Sequence, residues 1–513
     1  MIFCRILEKE LCLSKISFLL STREMGKNSN KLFFFILYLV QFGCSQDLKE
    51  AKVLPHPTLN QPLDDAYTSM QFCKGDWPTR QWWEFFEDPQ LGFLIEKGLS
   101  QSPTLKKVHA KFGYAEQEAK KVRSALFPQL NANYDESWSY FSKNGFVLGF
   151  YPLPSTISLP NSANVIDLSL NFSYEFDFWG KNRKKHEAAL GIAMSELAQT
   201  IQAELVLSSL IAFSYFEYQT STKQIFIYQQ ILNQWDQSLE LFTKRKELGL
   251  DSDYNLLTIQ EKIEITKKKL LDYKKNREVD LIVLKNLLGE DPDSLIRLED
   301  KSGAFDKNFP LPEQIGMTLL ARRPDLMSKI WVAEAASKEI GVARTEFYPN
   351  INLNAIGGFE SLHFNTLLKG NSLTGSLIPS ISLPLFTGGR LKSNLQSKIA
   401  LFNEAVEDYN EGLLSAVKEV AIELKTLSTL YDQILEQKKL IDTVSQKENL
   451  TQKRFNVGLD PLIQVLSDKV RVLENQSEMI SIQNFRLLSM VRLIKSLGGG
   501  FEADKIPQIK GGY

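Results

Sequence analysis

Histidine, cysteine and long apolar runs are all scarce in this chain of 513 residues. The four histidines, His56, His109, His186 and His363, lie far apart, and none stands at a metal-ligand spacing. There is no nucleophile elbow and no phosphate-cradling loop; the glycine pairs in GGFE and TGGR read as turns at strand ends. No catalytic residue, metal site or cofactor is therefore expected. The longest apolar run, Leu32 to Gly43, is too short to cross a bilayer as a helix. A net charge of −1 leaves no basic excess, which argues against nucleic acid as a main partner. Proline is missing from 161–291 and again from 385–460, so nothing there interrupts a long helix.

Lys27 and Lys31 precede the apolar run and Gly43-Cys44 follows it, which is the layout of a secretory signal. The Gly43-Cys44 ending resembles a bacterial lipoprotein cleavage box, although Phe42 is bulkier than the usual small residue. Met25 opens a compact version of the signal, MGKNSNKLFFFILYLVQFGC, and is the expected start. Residues 1–43 are then a signal peptide and Cys44 the lipidation site. Cys4 and Cys12 leave with the leader, so Cys73 has no partner and no disulfide framework follows. Residues 44–102 read as a proline-punctuated tether, with Pro55, Pro57 and Pro62, leading into an aromatic stretch, WPTRQWWEFFEDPQLGF. That stretch is expected to open a helix running to about Ala125, its tryptophans packed in a core.

The densest signal lies at 165–187, VIDLSLNFSYEFDFWGKNRKKHE. Ile166, Leu168, Leu170, Phe172, Tyr174, Phe176 and Phe178 alternate with polar residues, which puts every large side chain on one face of a strand. Gly180 ends the alternation and a helical period begins. Similar strands are expected around Leu130–Tyr140, Ile351–Phe359 and Leu373–Leu385.

An internal repeat organises the rest. Pro103-Thr104-Leu105 matches Pro324-Asp325-Leu326, Arg123 matches Arg344 and Phe127-Pro128 matches Tyr348-Pro349, all at an offset of 221. Past the strands the offset is 208 to 209, as in Gly249-Leu250-Asp251 against Gly458-Leu459-Asp460. The first copy thus has the longer loop between its strands, roughly 141–164. Repeat 1 spans 103–310, with a strand pair at about 129–178 and a helical hairpin at about 183–289. Repeat 2 spans 311–500, with a strand pair at about 350–386 and a hairpin at about 390–497. Residues 501–513 form a flexible tail. Arg183 to Leu248 is about 100 Å of helix at roughly 1.5 Å per residue, too long to fold into one globule. Ile259, Ile263, Leu270, Tyr273, Leu284 and Leu288 make one apolar stripe on the return helix. Gly249 and Gly458 read as helix C-caps at the hairpin tips, with Asp251 and Asp460 as the N-caps beyond them. Arg322-Arg323-Pro324-Asp325 reads as a helix start.

Four strands of ten to thirteen residues can each cross a bilayer if tilted, yet an open edge cannot persist in hydrocarbon. If the strands are membranous, copies must associate. Two chains give eight strands and a filled bore; three give twelve and an open lumen, which polar Asp167, Asn171 and Asp177 would suit. A soluble coiled-coil scaffold is the alternative without a membrane.

QWWEFFEDPQL at 81–91, FSYEFDFWGKNRK at 172–184, LLARRPDLMSKIWVAEAASKEIGVARTEFYPNINL at 319–353 and KRFNVGLDPLIQVLSDK at 453–469 together resemble the TolC-like outer-membrane efflux channels. The resemblance is to the lipoprotein branch that serves resistance-nodulation-division pumps, and it covers essentially everything after Cys44. It implies a homotrimer in the bacterial outer membrane: a twelve-stranded β-barrel with four strands per chain, continued by a long periplasmic α-helical barrel. It implies a passive exit duct for drugs or other small molecules, driven by an inner-membrane pump through a periplasmic adaptor protein. A duct for protein secretion is the alternative within the family. The resemblance makes Gly249, Leu250, Asp251, Gly458, Leu459 and Asp460 the adaptor-docking tips. It places Arg245 and Arg454 near the aperture, where such residues bond across helices. Asn255, Thr258, Gln464 and Ser467 fall where many relatives carry cation-binding acids, so a neutral constriction is expected.

Overall fold

The computed structural model describes residues 52–53, 72–142, 162–299, 309–311 and 322–502. The signal segment, Cys44, the prolines at 55–62, residues 143–161 of the first strand-joining loop and the tail beyond 502 lie outside them.

Strand β1 (Phe72–Lys74) comes first, then a 3-10 turn (Trp82–Phe86) and helices α1 (Pro89–Gln101) and α2 (Pro103–Arg123). The single helix expected from the aromatic stretch to about Ala125 is thus cut twice. Both cuts fall immediately before a proline, whose ring disfavours helical backbone at the preceding residue. Asp88 caps α1 by accepting from the amides of Gln90 (2.9 Å) and Leu91 (3.3 Å). Trp82 and Trp83 are buried, as their core role requires.

Strands β2 (Gln129–Tyr140) and β3 (Ser162–Phe176) lead into α3 (Lys181–Glu247) and α4 (Asp253–Leu287). After β4 (Phe309–Leu311), the series recurs: α5 (Pro324–Thr345), β5 (Asn350–Ser361), β6 (Leu373–Ser382), α6 (Arg390–Asn456) and α7 (Leu462–Ser496). The duplication is exact in length, since α3 and α6 each have 67 residues and α4 and α7 each have 35. Each long helix covers about 100 Å and each return helix about 50 Å. The shorter α2 and α5 pack alongside α3, and α5 also packs on α6.

Two strand ends differ from the alternation in the sequence. β3 stops at Phe176, because the Asp177 carboxylate turns to accept from the amides of Asn182 (3.0 Å) and Arg183 (2.9 Å) in the first turn of α3. Asp177 therefore caps a helix and does not face a lumen, and Phe178 lies off the strand. β6 stops at Ser382, which leaves Leu383 and Leu385 outside it. A further element carried no periodic signal. β1 and β4 form a parallel two-stranded ribbon, Phe72 to Phe309 and Lys74 to Leu311, and three residues are too few to show a period.

The stripe on α4 is buried as its spacing demands: Ile259, Ile263, Leu270, Leu284 and Leu288 all pack inward, and Tyr273 is partly buried against them. The largest core joins Trp82, Phe86, Ile95, Ile211, Tyr215, Leu284, Leu427 and Leu493, where the return helices end against the middles of the long ones. One window of α3 is long and apolar enough to cross a membrane by composition. Leu205, Leu207, Ile211, Tyr215 and Phe216 of α3 are instead part of this core.

Candidate functional site

The sheet runs β2-β3-β5-β6, antiparallel throughout, and its register separates two chemistries. Residues directly opposite one another point to the same face. One set of rows reads Leu130-Phe172-Ala355-Leu377, Ala132-Leu170-Gly357-Gly375, Tyr134-Leu168-Phe359-Leu373 and Phe176-Ile351-Ile381. The alternate set reads Asn131-Asn171-Ile356-Ser376, Asn133-Ser169-Gly358-Thr374, Asp135-Asp167-Glu360 and Glu175-Asn352-Ser380. At these levels one face is apolar and the other largely polar with only acidic charges. Towards the strand-joining loops the apolar face also carries Glu136, Asn164 and Ser361, and no Lys or Arg occurs in the four strands. Leu130, Tyr134, Leu170, Leu373, Leu377 and Ile381 of the apolar face are all exposed. At about 3.3 Å per residue and a tilt near 40°, twelve residues rise about 30 Å, the thickness of a bilayer core. β2 and β6 are unpaired edges of the sheet.

The other surface is at the hairpin tips. Gly249 (φ +66°) and Gly458 (φ +77°) take the left-handed conformation, and open space surrounds each. The following residues complete the cap: the Leu250 amide donates to the Arg245 carbonyl (2.8 Å) and the Leu459 amide to the Arg454 carbonyl (2.9 Å). Asp251 and Asp460 are not the N-caps, which are Ser252 and Pro461. The arginine of the preceding turn draws each carboxylate aside. Arg245 Nε donates to Asp251 (3.0 Å), while Arg454 holds Asp460 with two bonds of 2.6 and 2.9 Å. Asn255 also donates to Asp251 (2.7 Å), and its amide, the Ser252 N–H and then Arg245 hold that carboxyl below its usual range. Arg454 does the same for Asp460. Leu248, Leu250, Tyr254 and Leu257 at the first tip, with Val457 and Leu459 at the second, are exposed. Each tip is a hydrogen-bonded turn with exposed apolar side chains.

Thr258 donates to the Tyr254 carbonyl (2.8 Å) and Ser467 is half-buried. Gln464 points along its own helix to Asp468 (3.2 Å). Asp468 itself is buried between α6 and α7, where Lys447 and Thr451 also reach it, each at 2.8 Å. The sequence signal for this group was an acidic residue at a position where the other repeat has Ile259. Arg323, one residue before α5, is likewise buried and holds Asp325 (3.0 and 2.6 Å), Glu419 (2.9 Å) and the Ser496 carbonyl (3.1 Å). It ties the start of α5 to α6 and to the end of α7, the structural role its place at a helix start suggested. Gly498 (φ +92°) passes so close to the Arg322 carbonyl that no side chain fits there.

A sheet with one lipid-compatible face, joined to paired helical hairpins of this length, is the fold of outer-membrane channels. The sequence matches the family model described as outer membrane efflux protein over residues 94–290 and 317–499. The chain belongs to that family. It is 26% identical over 469 residues to the multidrug resistance outer membrane protein MdtP of Escherichia coli K12, covering 91% of this chain and 96% of the relative. Among solved structures, the outer membrane protein VceC of Vibrio cholerae is 29% identical with a TM-score of 0.71, covering 83% of this chain and all of the other. The CmeC outer membrane channel of Campylobacter jejuni superposes with a TM-score of 0.78 at 23% identity, over 90% of this chain and 95% of that one. The protein is accordingly an outer-membrane efflux channel component, with its strands in the membrane and its helices on the periplasmic side.

Proposed function

We propose that three copies of this chain close into one duct, the passive exit of a tripartite system that expels drugs or other small molecules. The observation that carries this is the two-faced sheet with two unpaired edges, since only closure through β6 of one copy and β2 of the next satisfies those edges in lipid. Twelve strands leave a lumen for the polar face, whereas eight would leave side chains no room but one another. An adaptor meets the exposed apolar tips around Leu250 and Leu459 and links the duct to an inner-membrane pump. Arg245, Arg454, Asn255, Thr258, Gln464 and Ser467 line the approach to the aperture at that end. Cys44 carries the lipid that assists sorting to the outer membrane. The relative MdtP is named for multidrug resistance, which supports a drug-like substrate class.

Native mass spectrometry of the detergent-extracted protein should read three copies. Deletion of the gene should sensitise cells to several drugs, with restoration by the intact gene. A dimer, or a monomer released without detergent, would overturn the duct.

A further inference from the structure

The two hairpins are equal in length but not in what holds them together near their tips. At an offset of 209, Lys447, Thr451 and Asp468 occupy the places of Ser238, Phe242 and Ile259. In the first hairpin that level is apolar: Ile259 is buried with Trp235 and Ile263, and Phe242 packs against them. In the second it is polar, with the Asp468 carboxylate accepting from Lys447 Nζ (2.8 Å), Thr451 Oγ1 (2.8 Å) and Gln464 Nε2 (3.2 Å). Two turns further from the tip, Gln437 of α6 donates to the Asn475 carbonyl of α7 (2.9 Å). Its counterpart Tyr228 is instead buried in the apolar cluster against Tyr273, with Lys269 of α4 donating to its hydroxyl at 3.5 Å. In the apolar cluster of the second hairpin, Leu430, Ile434, Met479 and Ile482 lie farther from the tip than this polar stretch, while Ile441, packed on them, lies within it. Val470 on α7 is buried among Ile231, Trp235 and Ile259 of the first hairpin. So α7 meets α6 through Asp468 and Asn475 near the tip and through Met479 and Ile482 farther from it. It meets α3 through Val470 and, farther from the tip, through the bond of Ser477 to Gln224.

We infer that Asp468 is a positioning residue: it pins the last turns of α6 to α7 by directional bonds, and so fixes where the second tip, with Gln464 and the Arg454–Asp460 pair, is presented. At the first tip the same level is packed by Ile259, Trp235 and Phe242, and beyond it the Lys246–Asp253 ion pair joins the two helices. Burial by itself would raise the Asp468 carboxyl, and the bonds from Lys447, Thr451 and Gln464 outweigh it and hold the group below its usual range. A carboxylate taken into a seam is stable only while such donors face it. The two tips of one chain therefore respond differently to loss of charge, a difference that adaptor docking inherits if the duct reading above holds.

Hydrogen exchange on the purified assembly, without partners, tests this. Asp468→Asn should speed exchange of the amides at 447–456 by about tenfold or more, while 238–247 stays unchanged within threefold. Lys447→Gln, at a half-exposed position that cannot prevent folding, should give the same pattern more weakly. The triple variant Lys447→Ser, Thr451→Phe, Asp468→Ile installs the residues of the first hairpin and should restore slow exchange at 447–456. Unchanged exchange in Asp468→Asn and Lys447→Gln would overturn the pin, as would equal loosening of both tips, which marks general destabilisation. Faster exchange at the second tip with full drug resistance in cells would uphold the pin and count instead against docking at that tip.

Discussion

Arginine placed at two neighbouring positions of β3 should separate the faces of the sheet. Leu170 lies near the middle of the strand, in the apolar row with Ala132, Gly357 and Gly375; Asn171 is the next residue and lies in the polar row with Asn131 and Ser376. An arginine near the bilayer midplane on the lipid face of such a barrel costs about 2–4 kcal/mol. Three copies sit far enough apart to add, so Leu170→Arg should cost about 6–12 kcal/mol per trimer. That is comparable to the entire stability of many domains. Asn171→Arg should cost little, because its charge meets water and, four residues away along β3, the acidic row of Asp135, Asp167 and Glu360. The assay is the fraction of chain recovered from outer membranes as trimer on unheated gels. Leu170→Arg should lose most of it and Asn171→Arg should keep it. Asn171→Arg should also lower the cation preference of single channels, since the polar strand face otherwise carries acidic charge alone. Equal recovery of the two variants would refute the assignment of faces, and loss only in Asn171→Arg would reverse it.

Asp280 is half-buried, and burial first, then the charge of Glu217, raises its carboxyl from 3.8 to about 6. A raised acid is destabilising once ionised, so the penalty is absent below about pH 4 and grows as pH climbs through about 6. At 1.36 kcal/mol per pH unit the ceiling is about 3 kcal/mol, which partial exposure reduces to about 1–2. Asp280→Asn should therefore slow exchange of the surrounding α3–α4 amides at pH 7.5 and do nothing at pH 4; a gain at both values would contradict the sign. Gly458→Val should cost about 1–2 kcal/mol through its left-handed backbone, because nothing near it would clash. Trimer yield should survive while efflux falls, and normal resistance would remove that tip from the docking surface. Gln464→Asp together with Ser467→Asp should create tight polyvalent-cation block in planar bilayers, where the parent channel is blocked weakly. Tight block already present in the parent would show that other groups supply the charge.

The alternation of β2, β3, β5 and β6 made the sheet legible, because a period of two survives in a strand with one face in lipid. Equal offsets across the repeats gave the matched hairpins, and the missing prolines gave their length. What resisted reading was governed by contacts between distant segments. β1 and β4 pair across more than two hundred residues with three residues each. Asp177 continues the alternation of β3 in the sequence, yet the free amides at the start of α3 bind its carboxylate more strongly than the strand can use it. Asp251 and Asp460 looked like N-caps in isolation; the arginine six residues before each one redirects them. Asp468 was visible only against its repeat partner Ile259, since an acid in a charged helix is unremarkable until the apolar register of the other copy shows what it replaces.

The matched lengths of α3 with α6 and of α4 with α7 constrain how this architecture can change over generations. A seven-residue insertion in one arm would lower its tip by about 10 Å and rotate the helix by about 20° against its neighbours. The return arm would then fall short of the core that Leu284 and Leu493 complete. Only four insertions, one per arm and at the same level, keep the tips together and the stripes facing. A single gene must acquire all four before the longer form works, and every intermediate is defective. Length is thus the most conservative property of the fold. Sequence can drift along the exposed faces while the gap between the membrane and the tips stays fixed, and any partner that spans the rest of the periplasm inherits that distance as a standard.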